Sequence, residues 1–179
     1  SVEPGTTFHY NSGNSHVLSA IIQTTGGMST RDFAQNYLFD PLGISELRWQ
    51  KDVDGIYKGG WGMAMTPRDM AKLGYLYLKQ GQWDGQQVLP AEWVSASTRP
   101  YVQVQDTLEA WDIHVGYSWW LHENGIYAAH GMKGQFIYLI PHLELVAVIT
   151  ANIPDSEFHL PQLLIRDYII PAVRSTDDS

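Results

Sequence analysis

Tyr10 is the residue whose surroundings could turn a phenol to chemistry. It stands in residues 4–22, PGTTFHYNSGNSHVLSAII, where the turn signal Pro4-Gly5 and the apolar Phe8 lead to Tyr10-Asn11-Ser12. Val17, Leu18, Ile21 and Ile22 then recur on one helical face, so a loop becomes a helix here. Asn11, Ser12, Asn14 and Ser15 are all preferred N-caps, and the pattern does not choose among them. Free N–H groups and the macrodipole at a helix start favour a phenolate, and a phenolate can act as a general base. The same spacing suits a packed tyrosine before an ordinary cap, so base and packing residue both stay open.

Other side chains that could do chemistry carry weaker signals. The seven histidines, His130 among them, show neither His-x-His nor His-x-x-x-His spacing, which argues against a zinc site. Trp61, Trp119 and Trp120 suit an aromatic wall of a substrate cleft and equally suit a core.

The elements that must position these groups come in a definite order. Gly26-Gly27 stops the first helix. Ser29 or Thr30 opens a second over residues 30–39, with Phe33, Tyr37 and Leu38 facing inward, and Asp40-Pro41-Leu42-Gly43 ends it. Residues 44–60 read as an irregular loop, after which Gly59-Gly60-Trp61-Gly62 lets backbone approach a neighbour or a substrate closely. Thr66-Pro67-Arg68-Asp69 is a capping box with proline in the first turn, predicting a helix to about Gln80 that buries Met70, Leu73 and Tyr77. Asp84-Gly85 predicts a tight turn, residues 90–97 a short helix and residues 99–109 a polar connection.

From Trp111 the period falls to two. Strands are expected over residues 113–121, 125–129, 135–140 and 145–150, the last two apolar enough for central strands covered on both faces. A final helix over residues 160–170 is stopped by Pro171, with a frayed polar tail beyond. Helices, then antiparallel strands, then a covering helix make an α+β fold. Its two parts are residues 1–110, helical, and residues 111–179, sheet plus helix.

Composition narrows the function. At 179 residues and 44% apolar, with seven Trp and ten Tyr, the chain can bury a substantial core. A net charge of −8 argues against nucleic acid and anionic membranes as partners. There is no cysteine for disulfides or thiolate metal sites, and no run of about 18 apolar residues to span a membrane. The opening SVEPGTTFHY has no signal-peptide pattern and reads as internal sequence, so the chain is expected to be part of a longer one.

Three stretches, residues 4–22, GGWGMAMTPRDMAKLGYLYL and AAHGMKGQFIYLIPHLELVAVIT, together resemble the serine beta-lactamase-like hydrolases. That family includes class C beta-lactamases, DD-peptidases, esterases and 6-aminohexanoate-dimer hydrolase. The resemblance implies an acyl-enzyme mechanism on a small ester, amide or peptide, with no cofactor. It makes Tyr10 the loop tyrosine that serves as base or proton shuttle, and Ser12 the third residue of that Tyr-x-Asn/Ser loop. It makes His130 the first residue of the strand-edge motif, followed by Gly131 and Met132, with an N–H near Met132 or Lys133 forming half of an oxyanion hole. Trp61 is the candidate substrate-facing aromatic. Departures from the pattern shift the expected chemistry. Ser12 replaces the Asn of class C enzymes, His130 the usual Lys of cephalosporin-hydrolysing members, and Met132 a glycine, which favours ester, amide or peptide cleavage over lactam cleavage. No Ser-x-x-Lys occurs; Ser29-Thr30-Arg31-Asp32 and Ser45-Glu46-Leu47-Arg48 come nearest. In this family that pair precedes the tyrosine loop, so the nucleophile and the opening strands are expected in an upstream segment. A non-catalytic ligand- or protein-binding module of the same fold is the alternative. Export to the periplasm or the cell exterior, common among the relatives, is the expected location.

Overall fold

The computed structural model describes residues 3, 8–104 and 114–177. The chain divides into two compact units, Ser1–Asp69 and Met70–Ser179.

The first unit is built on α1, Ser12–Gly26. Asn11 is the cap among the four candidates: its backbone is extended and its side-chain oxygen accepts the Gly13 N–H at 2.7 Å. Gly27 closes the helix at φ 65°, a conformation that costs glycine nothing. Helix α2, Thr30–Ala34, is capped by Ser29 and runs on as a π turn, Gln35–Phe39. This corrects the expected inward face. Phe33 and Tyr37 are exposed and pair with each other at 4.8 Å, whereas Phe39 is only 2% exposed. The wider i→i+5 turn carries Phe39 round to the side that a regular helix would give to its neighbours. Leu42, Ile44 and Leu47 are buried as the chain leaves the turn.

Residues 44–60, expected to be irregular, contain strand β1, Arg48–Trp49, and a bridge between Lys51 and Tyr57. β1 pairs antiparallel with β2, Met63–Ala64. Strands of two residues have no room to show a period, so the pattern could not reveal them.

Helix α3, Pro67–Leu78, opens on the expected capping box: Thr66 Oγ1 accepts the Asp69 N–H at 3.2 Å and donates to Asp69 Oδ2 at 2.8 Å. In the second unit its Met70, Leu73 and Tyr77 pack on Leu121, Tyr127, Ile137 and Leu139 of the sheet. β3, Gln82–Trp83, and β4, Gln86–Gln87, form the small hairpin, with Asp84 and Gly85 both at positive φ as its tight turn requires. Helix α4 covers Ala91–Ser97.

A six-stranded antiparallel sheet follows. Its strands are β5, Val102–Gln103; β6, His114–Val115; β7, Trp120–Leu121; β8, Tyr127–Gly131; β9, Gln135–Ile140; and β10, Leu145–Ile149. They lie in the order β10-β9-β8-β7-β6-β5. β9 is covered on both faces as expected: Phe136, Tyr138 and Ile140 point into one cluster, Ile137 and Leu139 into the other. Three expectations need correction. β10 is the outer strand of this sheet and half-buried rather than central. The polar connection over residues 99–109 includes β5, while residues 105–113 lie outside the described part. The single strand expected over residues 113–121 is the β6–β7 hairpin, whose turn from Gly116 to Trp119 holds Ser118 at φ 65°.

The last helix does not stop at Pro171. Helix α5, Leu160–Leu164, widens into a π turn, Ile165–Ile169, and α6 continues over Ile170–Asp177. Proline lacks an N–H and clashes with the carbonyl four residues back, but the π turn has already opened that ladder by pairing Ile170 N–H with Ile165 O. The expected frayed tail is thus helical as far as Asp177.

Candidate active site

Tyr10 and Ser12 flank the cap of α1. Tyr10 immediately precedes Asn11 and is 58% exposed; Ser12, the first helical residue, is half-buried. The Gly59-Gly60 backbone runs against the same turn. A Cβ on Gly60 would lie 2.4 Å from Ser12 O, and one on Gly59 2.1 Å from Ser15 O, an approach that only glycine permits. Trp61 therefore emerges beside the helix start, 47% exposed. Its ring lies 5.5 Å from that of His16, and Lys58 Nζ is 5.7 Å from its centroid.

His16 and Asp52 were not singled out by the sequence as a pair. Thirty-six residues apart, they meet at 2.8 Å between Nε2 and Oδ2. Burial pushes the Asp52 carboxyl up, but hydrogen bonds from the Ile56 N–H, from His16 and from the Asp54 N–H outweigh it and hold the group below the usual carboxylate range. The close glycine packing was the one local sign that something here is held tightly.

In the second unit His130 sits on β8 opposite Phe136 of β9. Its half-buried ring stacks on Trp120 at 5.2 Å and 9°, with the edges of Phe136 and Phe158 at 4.9 and 6.2 Å. The aromatic shell fixes the orientation of the imidazole. Gly131, Met132 and Lys133 lead through the β8–β9 turn, where Lys133 at φ 65° and Gly134 at φ 90° reverse the chain and Met132 is 77% exposed. The Lys133 carbonyl accepts the Ile153 N–H at 3.2 Å, and the Gln135 amide donates to Ala151 O, so the turn is braced from behind. Trp119 is a packing residue, 4.6 Å from Tyr77 and 5.3 Å from Tyr127.

Tyr10, Ser12 and Trp61 thus belong to the first unit, and His130, Gly131, Met132 and Lys133 to the second. Among the described residues no three His, Asp or Glu side chains converge as metal ligands, and no helix is long and apolar enough to cross a membrane.

The sequence profile of the beta-lactamase family matches residues 1–167. The chain belongs to the beta-lactamase family. This beta-lactamase-family chain is 25% identical over 158 residues to the 6-aminohexanoate-dimer hydrolase of Paenarthrobacter ureafaciens, covering 84% of this chain and 40% of that protein. It is 24% identical over 180 residues to an uncharacterised protein of Alkalihalophilus pseudofirmus, covering 83% and 53%. A solved structure from Bacillus anthracis, provisionally described as a 6-aminohexanoate-dimer hydrolase, superposes with a TM-score of 0.81 at 27% identity over 99% of this chain and 46% of that one. The octameric penicillin-binding protein homologue of Pyrococcus abyssi shares the fold, with a TM-score of 0.72 at 18% identity over 92% and 44%. The chain spans 40% and 53% of the length of the two curated relatives.

Proposed function

We propose that the intact protein is a serine hydrolase that cleaves a small ester, amide or peptide through a covalent acyl-enzyme. A serine and a lysine three residues on, supplied from outside these 179 residues, provide the nucleophile and its amine. The serine Oγ attacks the carbonyl carbon, and its proton passes through the lysine–Tyr10 pair to the leaving alcohol or amine as the old bond breaks. Water then attacks the ester by the reverse proton route and frees the acid. A backbone N–H near Met132 or Lys133, with the N–H of the nucleophile, holds the developing oxyanion. The resemblance gives Ser12 a place in the tyrosine loop and His130 and Gly131 a place in the strand-edge motif, and Trp61 meets the substrate.

The observation that supports this reading is the placement of Tyr10, an exposed tyrosine directly before a capped helix, at the position that the sequence resemblance gives to the loop tyrosine. Ser12 and His130, in place of Asn and Lys, favour ester, linear amide or peptide over lactam. The competing reading, a non-catalytic binding module, draws on the absence of Ser-x-x-Lys from the 179 residues. Tyr10→Phe in the intact protein separates the two. Stopped-flow acylation by a p-nitrophenyl ester should slow at least about a hundredfold, the lower end of usual general-base contributions. An unchanged rate makes Tyr10 structural, and an intact protein with no acylation at all leaves the binding module.

A further inference from the structure

The His16–Asp52 pair has no part in the mechanism above, yet it is tied to the backbone of that site. Ser12 and His16 are four residues apart on α1 and share one face. Gly59-Gly60 lies on that face, close enough that a Cβ on Gly59 would come within 3.1 Å of His16 Cα as well as striking Ser15 O. The imidazole closes three contacts at once. Its Nε2–H donates to Asp52 Oδ2 at 2.8 Å, its Nδ1 accepts the Gly59 N–H at 3.4 Å, and its ring lies 5.5 Å from that of Trp61. The neutral Nε2–H tautomer satisfies both hydrogen bonds; the other satisfies neither. Asp52 is itself fixed, because its Oδ1 accepts the N–H groups of Asp54 and Ile56 at 2.9 and 2.8 Å. Nothing about holding a helix to a loop requires a half-exposed tryptophan at the end of this chain of contacts.

We propose that His16 and Asp52 are positioning residues that fix Gly59-Gly60-Trp61 along the first turn of α1, so that Trp61 forms the wall receiving the acyl chain of the substrate. The proposal rests on the serine-hydrolase reading and adds a substrate preference to it. An apolar wall rewards each methylene laid on it, so a long aliphatic acyl group gains most and an acetyl group least. Losing the pair should let the Gly59–Trp61 backbone drift while leaving the reacting groups in place. The cost then falls on binding of long chains rather than on the chemical step.

The test uses the intact protein with p-nitrophenyl acetate and p-nitrophenyl octanoate, and the variants His16→Ala, His16→Asn and Asp52→Asn. In His16→Ala and Asp52→Asn, KM for the octanoate should rise about tenfold with kcat within about twofold, and KM for the acetate should barely change. Amide exchange at residues 59–61 should quicken about fivefold or more, the size expected for one lost hydrogen bond. His16→Asn, whose Oδ1 can still accept the Gly59 N–H, should recover part of both effects. Asp52→Asn disturbs packing least and serves if His16→Ala does not fold. An unchanged octanoate KM in folded, active variants overturns the proposal alone. So does an equal loss on both esters, which would place the pair in stability or chemistry. A wild type that turns over neither ester overturns the hydrolase reading and this role with it.

Discussion

Gly60→Ala tests how tightly the site backbone is packed, and its cost can be worked from contacts. The added carbon would lie 2.4 Å from Ser12 O, 2.9 Å from Ser12 Cβ and 3.1 Å from Ser12 C. Non-bonded carbon contacts settle near about 3.5–4.0 Å, so the segment must retreat by roughly 1 Å. The obstacle is helix backbone with Ser12 in its first turn, which cannot rotate aside as a side-chain tip can. Overpacking of this kind costs about 1–3 kcal/mol, and the stiff partner argues for the upper half. Against that, alanine restricts the unfolded chain and returns about 0.4–1 kcal/mol, since Gly60 does not hold a positive φ. The balance is a loss of about 1–2 kcal/mol, or roughly 2–8 °C in Tm for a chain of this size. Binding of long acyl esters should suffer too, because Trp61 follows the displaced backbone, so KM for p-nitrophenyl octanoate should rise with kcat little changed. Urea unfolding and ester hydrolysis by the intact protein measure both. Gly26→Ala is the control: its added carbon would meet only Phe33 Cδ2 at 3.8 Å, an ordinary contact, and helix propensity then favours alanine by about 1 kcal/mol. Gly60→Ala as stable as wild type would refute the packing argument.

Burial, and secondarily the neighbouring Tyr77, push the Tyr127 phenol up to about 12 from an ordinary 10.0. The folded state thus holds that proton more tightly than the unfolded one, so stability is intact below pH 10 and falls by about 2–3 kcal/mol as pH rises to about 12. Urea midpoints across that range should show the fall, and Tyr127→Phe should flatten it; an equal fall in the variant assigns it elsewhere. Thr66→Ala removes the hydroxyl that accepts the Asp69 N–H and should cost about 1 kcal/mol by the same unfolding assay, with a value near zero showing that the cap is redundant. The slower acylation expected of Tyr10→Phe completes the set.

Elements that advertise themselves locally were legible in the sequence. Thr66-Pro67-Arg68-Asp69 names its own cap, Asp84-Gly85 supplies the two positive φ angles of its turn, and the run over residues 135–140 is a strand apolar on both faces. Features set by tertiary context were not. β1, β2 and β5 are too short to carry a period, and the π turns at Gln35–Phe39 and Ile165–Ile169 leave no compositional mark. Pro171 misled for the same reason, since only the turn before it makes a proline harmless there. At the candidate site the helix start beside Tyr10 could be read from its caps, and the glycines at 59 and 60 announced a close approach without naming its partner. The His16–Asp52 pair spans 36 residues and has no motif, so the fold alone reveals it.

The central claim is a covalent serine chemistry in which Tyr10 takes part, and mass spectrometry of the intact protein after fluorophosphonate treatment addresses it most directly. The account predicts one adduct, on the serine of a Ser-x-x-Lys pair outside these 179 residues, forming at least about a hundredfold more slowly in Tyr10→Phe. A folded protein that takes no label, or takes it on a serine within residues 1–179, contradicts the account.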